Sequence, residues 1–280
     1  AAETLQLVRQ LIQERLLCDE LLEKSFESDR RFANAVQSCF EHVLNSHQGT
    51  PEFLSLYLDA MLRKDLRAKS DEEVEQEIDR AMTLFRYLND KDVFEKYYKQ
   101  QLAKRLLSLG GSRGGGGAKE EHEKMVILKL KTECGYQFTS KLESMFNDIR
   151  TSQDTMASFK EQDEGATGGV EVGVQVLTTG SWPTQPPEAA GVWQIPKALQ
   201  GCCERFEAFY LKTHSGRKLT WQTNMGHGEV RAVFGGGEGS AQRRHELSVS
   251  TVQICVLMLF NERATWRYED IRRAVLLEEG

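Results

Sequence analysis

The sequence has no Asn-x-Ser/Thr sequon, no Cys-x-x-Cys pair and no largely apolar run longer than Val252 to Phe260, which itself contains Gln253. Without paired cysteine spacing, neither a zinc site nor a disulfide framework is indicated. A nine-residue run is far short of the roughly 20 residues needed to cross a bilayer. No leader-like segment opens the chain, so an intracellular, water-facing protein in a reducing compartment is expected. The chain also lacks a basic surplus: its net charge is -6 and its isoelectric point is near 5.7, which argues against a protein built to neutralise nucleic-acid phosphates. Gly110 to Gly117 is glycine-rich but is not followed by Lys-Ser/Thr, so it is not a phosphate loop. Neither His214 with Ser215 nor Cys134 with His122 sits in a nucleophile elbow. His214 beside Ser215, or Cys134 with His122, are the nearest approaches to a nucleophile and base.

What is there is ordinary globular chemistry. Of 280 residues, 40% are apolar and 28% charged, with the charges spread between apolar positions, which suffices for two domains with real cores. The first 165 residues read as successive helices. Leu5, Val8, Ile12 and Leu16 form one stripe, and Phe32, Val36, Phe40 and Val43 form the next. Thr50 before Pro51 predicts a helix start carrying Phe53, Leu54, Tyr57, Leu58, Met61 and Leu62. Ser70 with Glu73 is a capping box ahead of Val74, Ile78, Ala81, Phe85 and Leu88. Asp90 caps a fifth helix from Lys91 to about Leu107, with Phe94, Tyr98, Leu102 and Leu106 on one side. A loop over Gly110 to Gly117 then leads to two further helices, Lys119 to Glu133 and Thr139 to about Phe159.

Near Glu164 the texture changes. Gly165, Gly168 and Gly169 punctuate the chain, and Val170, Val172, Val174 and Val176 then alternate with Glu171, Gly173 and Gln175, predicting a strand with one buried face. A loop with Trp182, Pro183, Pro186 and Pro187 precedes a helix over Leu199 to Tyr210. Leu219, Trp221 and Thr223 predict a second strand, turned at Asn224 to Gly228 into a partner carrying Val230, Ala232 and Phe234. A short strand at Glu246 to Val249, a helix over Thr251 to Phe260 and a last amphipathic helix over Trp266 to Leu277 complete the reading.

The stretches KDVFEKYYKQQLAKRLL (Lys91 to Leu107), LKTECGYQFTSKLESMFNDI (Leu130 to Ile149), VLTTGSWPTQ (Val176 to Gln185), FYLKTHSGRKLTWQTNMG (Phe209 to Gly226) and LSVSTVQICVLMLFN (Leu247 to Asn261) resemble the homology region of the cullins. The wording KTECGYQFTSKLE is similar to the class that recruits substrates through BTB-domain adaptors. The resemblance implies a mainly α fold: a four-helix-type bundle over 1–165, a small α/β domain with an antiparallel sheet over 166–250, and the truncated start of a winged helix over 251–280.

It also implies a non-catalytic scaffold of a ubiquitin-protein ligase, found in cytoplasm and nucleus, with no cofactor. A RING-box protein, and through it a ubiquitin-conjugating enzyme, is the implied partner. BTB adaptors are held by a family region absent from this sequence, and the lysine modified in neddylation also lies beyond it.

An exposed valine edge is able to take up a partner strand, so Val172, Val174 and Val176, with Leu219 and Trp221, are expected to grip the RING-box protein. Lys99, Lys104, Arg105, Lys129 and Lys131 are expected to form a basic groove for an acidic tail of the conjugating enzyme. The competing readings are solvated helix faces for the lysines, intradomain core for the valines and Trp221, and, for the whole chain, a non-catalytic winged-helix or helical nucleic-acid-binding or other interaction module.

Overall fold

The computed structural model describes residues 2–65, 70–109, 116–162, 170–184, 195–234 and 243–276. It divides into two compact units, one made of 1–153 with 175–183, the other of 154–174 with 184–280.

In the first unit, α1 (Ala2–Phe26), α2 (Arg30–Asn45), α3 (Thr50–Ala60, running into a π turn over Met61–Asp65), α4 (Asp71–Arg86), α5 (Lys91–Leu109), α6 (Gly116–Cys134) and the first part of α7 (Tyr136–Gln162) build a helical bundle. The predicted stripes of α3, α4 and α5 form its core. Leu58, Val74, Ile78, Ala81, Phe85, Phe94, Tyr98 and Leu102 are fully buried, and Phe85 and Phe94 meet edge to face at 4.8 Å. The Ser70 capping box forms as the sequence predicts, Glu73 N–H donating to Ser70 Oγ while Ser70 N–H donates to Glu73 Oε2. Asn45 fastens two helix ends, donating to the Tyr87 carbonyl at 2.8 Å and accepting from Asn89 N–H at 2.9 Å.

Three local expectations are corrected. Leu16, Phe32 and Val43 are exposed; the inward residues are Val8, Ile12 and Leu22 on α1 and Phe40 and Leu44 on α2, because these terminal helices are covered on one narrow side only. Thr50 is not the cap but lies inside α3, its hydroxyl donating to the His47 carbonyl. Gly116 and Gly117 belong to α6 instead of the glycine loop. The remainder of that loop, the glycines near 165 and those at 235–237, Pro186 and Pro187 fall outside the described residues.

The second unit holds the end of α7, α8 (Lys197–Thr213), a 3₁₀ turn (Thr223–Met225), the hairpin β1 (His227–Phe234) and β2 (Arg243–Ser250), α9 (Thr251–Leu259) and α10 (Tyr268–Val275). Phe159, Phe206, Phe209, Tyr210 and Trp221 form an aromatic cluster with centroid separations of 5.3–6.3 Å. The hairpin differs from expectation. β1 pairs antiparallel with β2, from His227 opposite Ser250 to Phe234 opposite Arg243, and not with Leu219 to Thr223, which carry no ladder.

Period-two alternation explains the choice. Gly228, Val230 and Ala232 are the inward positions of β1, and they face Val249, Leu247 and His245. Gly228 admits α9 closely, since a Cβ there would stand 2.9 Å from Ile254 Cδ1. An unforeseen capping box, Ser250 with Gln253, turns β2 directly into α9.

Candidate functional site

The valine ribbon forms no strand. Among the described residues, 170–178 make no ladder with any other segment, so the predicted sheet with Leu219 and Trp221 is absent from the chain by itself. Instead α7 side chains meet its backbone. In the first unit, Val176 N–H donates to Ser152 Oγ at 2.8 Å, and the Ser152 hydroxyl donates back to the Val176 carbonyl at 3.1 Å. One helical turn earlier, Asp148 accepts from Thr178 N–H at 2.7 Å, from the Thr178 hydroxyl at 2.8 Å and from Trp182 Nε1–H at 2.7 Å. In the second unit, Val174 N–H points at Met156 Sδ at 3.3 Å.

A turn closes the ribbon. Ser181 N–H donates to the Thr178 carbonyl at 3.2 Å, and Gly180 takes φ 88°, which a type II turn requires at its third position. Trp182 is 3% exposed and joins the bundle core, where Leu177 also packs. Val172, Val174 and Val176 are half-buried. Leu219 is half-buried in irregular backbone, and Trp221 is half-buried with its ring edge-on to Phe206.

Arg105 stands apart from the other four basic residues. Arg105 is buried inside the bundle, its guanidinium shared between Glu123 and Asp59 and lying 5.3 Å from the Tyr98 ring. Burial alone pulls its pKa down, but the Glu123 charge and the carboxylate hydrogen bonds outweigh that and raise it. Its charge is satisfied internally and is no part of a surface. Lys129 is paired with Glu75 at 3.1 Å and Asp79 at 2.7 Å, and Lys131 with Glu143 at 3.0 Å. Lys99 reaches the Gly180 carbonyl at 3.4 Å, and burial together with the nearby Lys141 lowers its pKa. Lys104 is exposed.

The residues imagined as nucleophile and base are otherwise engaged. His214 stacks on Tyr210 at 4.3 Å, and its Nδ1 lies 3.2 Å from that residue's carbonyl. Burial pushes the Cys134 thiol up, which disfavours the thiolate, and His122 faces Asp71 at 3.7 Å. Among the described residues no helix is long and apolar enough to cross a membrane.

Asp148 and Ser152 were not foreseen from the sequence. Their signal was two short polar side chains four residues apart on α7, opposite a ribbon whose own repeat is two.

A helical bundle followed by an α+β unit with a small antiparallel hairpin is the architecture on which two family models converge. The cullin alpha solenoid domain matches residues 1–156 and the cullin alpha+beta domain matches 176–280. The chain belongs to the cullin family. It is 48% identical to Cullin-3A of Arabidopsis thaliana over 272 residues, covering 97% of this chain and 35% of that protein. It is 44% identical to Cullin-3 of Dictyostelium discoideum over 255 residues, covering 90% and 31%. To Cullin-4A of Homo sapiens it is 39% identical over 277 residues, covering 98% and 34%. Its likeness is thus of the cullin-3 type, and the chain spans about a third of the length of these relatives.

Proposed function

We propose that this chain is the part of a cullin-RING ubiquitin-protein ligase scaffold that holds a RING-box protein and, through it, positions a ubiquitin-conjugating enzyme near substrate. The contribution to rate is proximity and orientation, without catalytic residues of its own. One observation carries the reading. In the first unit the 175–178 backbone is held along one edge by Ser152 and Asp148 of α7, while the N–H groups of Gln175 and Leu177 on the other edge have no partner among the described residues. Backbone groups left in this way are a ready acceptor for a strand brought by another polypeptide.

In this reading the valines offer the edge that the partner strand completes, and Leu219 and Trp221 are further residues proposed to meet the RING-box protein. Residues 251–280 open a winged helix, a BTB adaptor is held by a region outside this sequence, and the complex works in cytoplasm and nucleus. Of the basic set, Lys99, Lys104, Lys129 and Lys131, all but the buried Arg105, are offered to an acidic tail of the conjugating enzyme.

Co-expression with a RING-box protein followed by size-exclusion chromatography tests the proposal. A stoichiometric complex, with more soluble chain than when it is expressed alone, is expected. Separate elution of the two proteins with unchanged solubility would sink it.

A further inference from the structure

Ser152 does to Val176 what a facing strand residue does in an antiparallel pair: it takes the N–H and gives a hydrogen to the C=O of the same residue. Asp148 repeats the acceptor half at Thr178. The repeat lengths match. Four residues of helix advance about 6 Å, and two residues of strand advance about 6.6 Å. A helix with hydrogen-bonding side chains at i and i+4 therefore serves as a stand-in strand for backbone groups at j and j+2.

Because successive residues of extended backbone point their N–H and C=O groups to opposite edges, filling Val176 and Thr178 leaves Gln175 and Leu177 facing the other way. A second observation falls at the same place. Gln175 Oε1 is buried and accepts no hydrogen bond among the described residues, an unfavourable state until a donor arrives.

We propose that Ser152 and Asp148 are positioning residues that hold 175–178 extended with one edge occupied, so that an incoming strand pairs in a single register, through the backbone of Gln175 and Leu177. The inference rests on the docking reading given above and adds to it the edge, the register and the residues that set them. α7 orders the ribbon before the partner arrives, so the ordering entropy is not charged to the binding step. A slip by one residue would place the partner against groups that α7 already fills.

The test is backbone amide exchange on the full chain, free and in complex with a RING-box protein, together with association rates. In the free chain Val176 and Thr178 amides exchange slowly while Gln175 and Leu177 exchange fast. In the complex Gln175 and Leu177 slow by about 100-fold or more. Ser152→Ala speeds exchange at Val176 and lowers the association rate about tenfold through lost pre-organisation, whereas Ser152→Thr, which keeps the hydroxyl, restores both. A merely structural role for Ser152 would instead loosen core amides such as Leu102, which stay protected here. Should Ser152→Ala not fold, Asp148→Ala carries the test, releasing the Thr178 amide together with the Thr178 hydroxyl and the Trp182 indole N–H. A complex in which Gln175 and Leu177 keep exchanging overturns the register while leaving the docking reading intact. No complex with the wild-type chain overturns the docking reading and the register with it.

Discussion

The bundle and the α+β unit solve the burial problem differently. In the first unit Phe85, Phe94 and Tyr98 lose all contact with water, and the deeply buried cation Arg105 is met by two carboxylates. Among the described residues of the second unit, the cluster around Phe206 and a few residues such as Cys255 and Val275 reach that depth, while Val233, Phe234 and Tyr268 are at least half exposed. Helices stacked side by side bury one another's stripes, whereas a two-stranded hairpin beside the short helices α9 and α10 has too little apolar area to close a core of that density. Stability and openness are therefore divided between the units.

Cutting the ion network of the bundle is expected to show the largest effect. Glu123→Ala leaves the Arg105 guanidinium buried with Asp59 as its remaining carboxylate partner, and urea unfolding followed by circular dichroism should report a loss of about 3–5 kcal/mol. An unchanged midpoint would mean that the bundle interior is wetter than its packing implies.

Tyr98→Phe is a smaller perturbation that also separates the units by pH. Burial, then the Glu123 charge, raise the Tyr98 pKa well above its ordinary 10.0. The native state thus keeps the proton when the unfolded chain releases it. The stability this confers is fully present below pH 10 and is lost as pH rises from there toward the folded value. The variant should lose about 1 kcal/mol at neutral pH, from a weak 3.3 Å bond to Glu123, and show a shallower decline above pH 10. Parallel alkaline limbs for variant and parent would contradict this.

Phe234→Ser should change the unfolding midpoint least, by about 0.5 kcal/mol or less, because the ring is 58% exposed at the end of the hairpin. A drop comparable to that of Glu123→Ala would show that the second unit closes over this residue and is not the open member of the pair.

The success and failure of the sequence reading follow the same division. The stripes of α3, α4 and α5 were legible because a helix covered by neighbours on a broad face repeats its apolar residues every three to four positions, and Ser70 with Glu73 marks a start by local chemistry alone. Phe32 and Val43 keep the same period yet stay outside, since periodicity does not say how wide the covered face is. Strand identity was less legible. Leu219 to Thr223 alternates as well as Arg243–Ser250 does, and only the second has a partner in register. The basic set was read as a surface because charge is visible in a sequence and its counter-charges on other helices are not, as Arg105 shows.

The sequence by itself determined the helical bundle, the change of texture near residue 165 and the cullin kinship, all of which live in short-range spacing and wording. Tertiary structure alone decided which backbone edge stays available. Whether an extended segment is paired depends on groups far along the chain, and here α7, some 24 to 30 residues earlier, supplies side chains where a neighbouring strand was expected.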